Sequence, residues 1–190
     1  MEEINFSGGN SGSCHGQMYN MGTLLRYGSE LQKRMYLPKI ASGELRLQSM
    51  AVTEPTIGDA YWFIDRARRY ANDRVVFDRP IGKNQGIQFP IADSYIETEA
   101  ANLMRFKACE LFDNHQPCGP EANMAKYLAA KASWEAANVC LQTHGGFGFA
   151  NEYDVDRKCR EKRLYQVTPI STNLIYSYVA EHILGLPRSF

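Results

Sequence analysis

Between Pro120 and Leu141 the residues Met124, Tyr127, Leu128, Trp134, Ala137 and Leu141 recur at helical spacing. That spacing gathers them into one stripe along a single helix, and Pro120 suits the first turn, where its missing N–H costs nothing. Such a stripe needs other helices to cover it. The chain supplies them. Ala60, Tyr61, Ile64, Ala67, Arg68, Tyr70 and Ala71 predict a helix that begins after Asp59 and ends near Arg74, followed by a turn-rich loop, "FDRPIGKNQG". Ile87, Ile91, Tyr95, Ile96, Leu103, Phe106 and Leu111 predict a long helix over Gln85–Phe112, with Pro90 expected to kink or delay its first turns. Leu174, Ile175, Tyr178, Val179, His182 and Ile183 form a doubled stripe that stops at Gly185 and Pro187, and His182 reads there as a packed interface residue. Long helices joined by short loops pack as antiparallel neighbours. The expected fold class is mainly α, an antiparallel helix bundle.

Upstream the pattern is less regular. A modest helical segment from Gly16 to Tyr27 stops at Gly28, and Ser29-Glu30-Leu31-Gln32 reads as a capping box opening a second helix. That helix is expected to run to about Tyr36 and to end before Pro38. The stretch "ASGELRLQSMAVTEPTIG", with Leu45, Leu47 and Ser49 alternating, is the best candidate for an extended segment. These signals divide the chain into a partial helical N-terminal part, residues 1–58, and the bundle, residues 59–190.

Charge and composition exclude some partners. The 21 basic and 21 acidic side chains cancel, so no bulk field draws the chain to nucleic acid. No apolar run approaches the roughly 20 residues of a membrane span, and the Met-Glu-Glu start followed by Gly and Ser does not resemble a signal peptide. A soluble, cytoplasmic protein is expected. Cys14, Cys109, Cys118, Cys140 and Cys159 are odd in number and scattered, without a C-x-x-C pair, and the Cys14-His15 neighbours have no second pair at a zinc-like spacing. No metal site is expected.

One segment asks for a chemical explanation. "LQTHGGFGFANEYDVDR", Leu141 to Arg157, places three glycines in four positions directly after a helix. A dinucleotide fingerprint needs G-x-G-x-x-G after a strand, and this segment has neither the spacing nor the strand. Two readings stay open. One glycine suffices to stop a helix, whereas two adjacent ones suit a site where an anion such as phosphate approaches the main chain.

With these motifs in place, the chain resembles the acyl-CoA dehydrogenase family. The resemblance runs in order through "YGSELQKRMYLPKIASGE", "AVTEPTIG", "RARRYANDRVVFDRPIGKNQGIQFPIAD", "EANMAKYLAAKASWEAANVCLQTHGGFGFANEYDVDRKCREKRLYQ" and "AEHILGLPRS". It implies an FAD enzyme that dehydrogenates an acyl-CoA thioester and passes electrons to an electron-transfer flavoprotein. A C-terminal four-helix bundle would carry the contacts of a homodimer or homotetramer. By this resemblance Arg74 reaches the flavin diphosphate of the neighbouring subunit, with Phe77 and Gln85 beside the adenosine half. Gln142, Gly145 and Gly146 line the same cofactor from an adjoining subunit. Thr53 matches a contact to the isoalloxazine ring, and Ser171 matches a residue near the flavin.

Two departures accompany the match. Between Gly58 and Asp59 the family pattern passes directly to the middle of the first bundle helix, so the middle β-domain and the helix's beginning are expected to be missing, as is the first half of the N-terminal domain. Pro169 stands where one branch of the family carries its catalytic glutamate. No catalytic residue is assigned, and Asp59, Glu97 and Glu99 are expected on solvated helix faces. The alternative reading is a non-catalytic helical oligomerisation module derived from such an enzyme.

Overall fold

The computed structural model describes residues 2–9, 18, 21–22, 24–42, 53–168 and 170–189. Cys14, His15, the candidate extended residues 43–52 and Pro169 lie outside them, as do residues 16–17, 19–20 and 23 of the predicted 16–27 helix, whose described residues 18, 21–22 and 24–27 are helical. The elements are α1 (Glu2–Phe6), α2 (Glu30–Ala41), α3 (Thr53–Asp73), β1 (Val75–Val76), β2 (Arg79–Pro80), α4 (Gln85–Asp113), α5 (Gly119–His144), α6 (Val155–Arg163) and α7 (Thr172–Tyr178).

Local chemistry sets several boundaries as expected. At the start of α2, Gln32 N donates to Ser29 Oγ while Ser29 N donates to Gln32 Oε1 at 2.9 Å, a complete capping box. Pro120 sits in the first turn of α5, and Gly145 ends that helix at φ +57°. Ser171 caps α7, which continues into a π-helical turn, Val179–Ile183, and closes before Gly185 at φ +69°.

Other boundaries overrule local signals. The α2 helix runs through Pro38 to Ala41, because the Ser42 amide donates to Pro38 O and holds the last turn together despite the lost donor. The stretch Thr53–Gly58, expected to be extended, is the opening of α3. Thr56 and Ile57 are buried there, so packing decides the backbone state. The boundary expected at 58/59 falls inside this helix. Pro90 does not delay α4, which starts at Gln85. The turn-rich loop after α3 is a two-stranded antiparallel hairpin, Val75 opposite Pro80 and Val76 opposite Arg79, with Phe77 and Asp78 at φ 52° and 59° in the turn.

The bundle core lies where α3, α4 and α5 meet, with α6 packed along α5. One cluster joins Ala60, Trp62, Phe63 and Ala67 of α3 to Ala136, Ala137 and Cys140 of α5 and Val155 of α6. A second joins Ile57, Ala101, Ala129 and Ala132. Alanines let helix axes approach closely, and this moves the expected stripes. On α5 the buried face is Ala125, Ala129, Ala132, Ala136 and Cys140, while Met124, Tyr127, Leu128, Trp134 and Leu141 are only half-buried on its flanks. On α4 the buried face is Ser94, Thr98, Ala101 and Ala108, and Tyr95, Ile96, Leu103 and Phe106 are exposed. The α7 stripe buries only Ile175, and His182 is exposed with its ring 5.0 Å from Tyr178. Among the described residues no helix is long and apolar enough to cross a membrane.

Candidate functional site: an arginine cleft beside the glycine turn

The last turns of α3 carry Arg66 and Tyr70, and Arg74, the residue just past its end, continues the four-residue step with its amide donating to Tyr70 O at 2.9 Å, so all three share one face. This face meets the end of α5 and the glycine turn after it, enclosing a cleft of about 400 Å³ lined by Arg66, Arg69, Tyr70, Asp73, Arg74, His144, Phe147 and Tyr153. Arg74 lies with its guanidinium carbon 5.5 Å from the centre of the Phe147 ring, a cation over an aromatic face. The sequence-predicted Arg74 and the "GGFGF" segment are thus neighbours within one chain.

The cleft has an aromatic wall. His144 stacks on Tyr70 with ring centres 4.2 Å apart, and Tyr153 stands edge-on to both. His144 Nδ1 lies 2.8 Å from Cys140 O, which makes Nδ1 the protonated nitrogen of the neutral ring. Burial holds the His144 pKa below its usual value, the bond to Cys140 O opposes the shift and nearby Arg66 adds to it. Burial likewise raises the Cys140 thiol, so it is not a thiolate nucleophile.

The charge in the cleft is unbalanced. Arg69 pairs with Asp65 at 2.8 Å, and Arg68 shares the same carboxylate. Among the described residues no carboxylate pairs with Arg66 or Arg74, and Asp73 is the single acid in the lining.

The three glycines of the turn differ in what they permit. A Cβ on Gly148 would sit 2.7 Å from Leu141 Cδ1 and 3.2 Å from Leu141 O, so its hydrogen is needed for packing. Gly145 has a positive φ and stops α5. Gly146 has neither constraint: nothing lies within 4 Å of a Cβ there, and its backbone is exposed. Among the described residues no contact accounts for the second glycine of the pair.

The remaining predicted positions do not line this cleft, and Thr53 stands at the opposite end of α3 from Arg74. Phe77, 94% exposed, is at the tip of the hairpin, and Gln85 opens α4 on the exposed surface. The hairpin is tied to the end of α3 by the Ile81 amide, which donates to Arg74 O at 2.9 Å. Gln142 is exposed on the last turn of α5. Thr53 is the first residue of α3, and Ser171 Oγ accepts from Leu174 N at 3.4 Å as a helix cap. Arg66, Tyr70, His144, Phe147 and Tyr153 were not singled out from the sequence. The four-residue steps of Arg66, Tyr70 and Arg74 were a readable signal, whereas nothing local indicated that His144 would lie against Tyr70.

Asp59 is not on a solvated face. It is 3% exposed and receives Lys158 Nζ at 2.6 Å and Asn5 Nδ2 at 3.2 Å, with Lys162 as a second ion-pair partner. An acid held by two ammonium groups is a counterion. Glu99 is half-buried and accepts from Tyr61 Oη at 2.5 Å, and Glu97 is half-buried as well.

Comparison with known proteins defines the class. The family described as "Acyl-CoA dehydrogenase, C-terminal domain" matches residues 39–183, and "Acyl-CoA dehydrogenase, N-terminal domain" matches residues 1–44. The chain belongs to the acyl-CoA dehydrogenase family. It is 40% identical over 136 residues to acyl-CoA dehydrogenase FadE12 of Mycobacterium tuberculosis, covering 70% of this chain and 35% of that protein. It is 32% identical over 151 residues to the human mitochondrial short-chain specific acyl-CoA dehydrogenase, covering 80% of this chain and 37% of that one. Among solved structures, the glutaryl-coenzyme A dehydrogenase glutaryl-CoA complex is similar at TM-score 0.67 and 32% identity, over 72% of this chain and 35% of that one. The chain spans about a third of the length of these relatives.

Proposed function

We propose that this chain is the helical, flavin-holding part of an FAD-dependent acyl-CoA dehydrogenase, whose reaction is the α,β-dehydrogenation of an acyl-CoA thioester. The observation that carries this reading is Arg74, which pairs with no carboxylate among the described residues, beside a glycine pair whose second member meets none of their atoms. A flavin dinucleotide fits such a place. Its diphosphate is a doubly charged group that a guanidinium fork binds through two oxygens, and glycine N–H groups complete the coordination without side chains in the way. Bound FAD would supply the hydride acceptor, which no amino-acid side chain provides.

The chain's own residues bind and orient. Arg74, Gly145 and Gly146 hold the diphosphate, while the exposed Phe77 ring, Gln85 and Gln142 flank the adenosine half. Thr53 and Ser171 are assigned to the flavin ring side on family resemblance alone. No residue is assigned as the base for the α-proton. The acyl-CoA substrate and an electron-transfer flavoprotein as acceptor follow from the same reading. A homodimer or homotetramer is proposed because Phe89, Ile96 and Leu103, each seven residues apart on α4, are 60%, 65% and 70% exposed.

The test is the visible absorption spectrum of the purified chain after incubation with FAD and removal of free cofactor. Retained flavin that bleaches on adding an acyl-CoA is the expected result, and a colourless protein overturns the assignment. The exposed α4 stripe favours a second reading, a non-catalytic oligomerisation module, for which a colourless chain that self-associates would be the signature.

A further inference from the structure

Residues 2–9 close over a buried charge cluster on the first turns of α3. Lys158 Nζ donates to Gly9 O at 2.7 Å and to Asn5 O at 3.3 Å, besides its ion pair with Asp59. Asn5, 1% exposed, donates to the other oxygen of the same carboxylate, and Arg157 donates to Gly8 O at 3.1 Å. Glu2 is anchored separately by Arg105 at 2.6 Å. The contact is close enough that a Cβ on Gly58 would run into the Glu2 carbonyl, and Gly8 rests on the Trp62 indole.

Beneath this cover one carboxylate faces two ammonium groups. Lys158 and Lys162 are 0% and 2% exposed, and both pair with Asp59. Other groups around Lys162 are Glu161 on its own helix and the Tyr165 ring, whose centre is 3.9 Å from the ammonium. On the far side Lys126 of α5 donates to Tyr165 O at 2.9 Å. An isolated cation is expensive to bury, and backbone carbonyls of the N-terminal segment supply part of the coordination that water would otherwise give.

We propose that residues 2–9 form a latch that opens and closes over α3 without unfolding of the bundle, and that the balance of Asp59 against Lys158 and Lys162 sets how tightly it shuts. With both lysines charged, one positive charge is left over, and opening the latch lets water reach it. When Lys162 gives up its proton the cluster is neutral, and that driving force for opening disappears. Burial favours this loss, pushing the Lys162 pKa down to about 8. The open state binds the proton more tightly than the closed one, so opening falls as pH rises above this value. The limit is about tenfold per pH unit, set by one proton released on closing.

Trp62 lies under the latch and is 3% exposed, so it reports opening directly. In a Trp134→Phe background, acrylamide quenching of Trp62 and amide exchange of Gly8 and Gly9, corrected for the intrinsic rate, are measured from pH 7 to 10. Both are expected to fall with pH above 8, and Lys162→Met is expected to remove the slope. Gly58→Ala suits a helix but clashes with Glu2, so it should raise Trp62 quenching several-fold while the helical circular dichroism is retained. Quenching unchanged in Gly58→Ala, or a pH slope that survives Lys162→Met, overturns the proposal.

Discussion

Both ends of α3 collect cations, with opposite outcomes. Near its start Lys158 and Lys162 converge on Asp59 in the interior. Near its end Arg66 and Arg74 face an open cleft, and among the described residues no carboxylate pairs with either. The difference follows from solvent. A buried ammonium must find its counterion within the chain, because the cost of desolvation exceeds any single neutral contact. An exposed guanidinium pays no such cost, so it is free to serve a ligand that arrives from outside. The first arrangement holds elements together, and the second recognises an anion.

The largest expected effect is on the buried end. Asp59→Asn leaves two desolvated ammonium groups without a carboxylate and should cost about 3–5 kcal/mol at pH 7. Urea unfolding measures it, and a loss under about 1 kcal/mol would mean that water already reaches the cluster. The same cluster makes a pH prediction. Lys162 has a folded pKa of about 8 against 10.5 unfolded, so the unfolded chain binds more protons between these values and stability rises with pH across that window. The unfavourable contribution is fully present below pH 8, and its relief by pH 10.5 is on the order of 3 kcal/mol. Lys162→Met should flatten this part of the stability profile.

At the open end the expected effects fall on binding. Arg74→Ala should weaken FAD binding about 10- to 100-fold, the worth of a charge-assisted hydrogen bond, with urea unfolding unchanged. Gly146→Ala places its Cβ more than 4 Å from any atom of the described residues, so it should leave stability within about 0.5 kcal/mol while reducing flavin retention. Retention equal to wild type would separate the second glycine from the cofactor. The smallest effect lies in the hairpin turn. Asp78 has φ 59°, and Asp78→Gly should stabilise the fold by up to about 1 kcal/mol, visible as a small rise in Tm.

Some of this was legible in the sequence because its causes are local. The Ser29–Gln32 capping box, Pro120 and the Gly145 stop act within one turn of backbone, and they appear where the sequence places them. Helix α6 was not legible. Its segment "VDRKCREKR" looks like a solvated charge run, yet three of its residues, Val155, Lys158 and Lys162, are buried. No hydrophobic pattern reveals a lysine that is buried because Asp59, 99 residues away from Lys158, is its partner. The α4 helix shows a related limit. Its existence followed from periodicity, but the large apolar side chains mark its outer face, since close packing selected Ser94, Thr98, Ala101 and Ala108 for the inner one.

The sequence by itself determined a mainly helical chain of the acyl-CoA dehydrogenase family, and it pointed to Arg74 and the glycine turn as the place to look. These follow from helix periodicity, caps and motif order, all of which are properties of neighbouring residues. Only the tertiary structure decided that Arg74 meets Phe147, that His144 lies against Tyr70, and that Asp59 is a buried counterion. Those facts depend on which helix faces touch, and touching faces are selected by packing and desolvation across the whole chain.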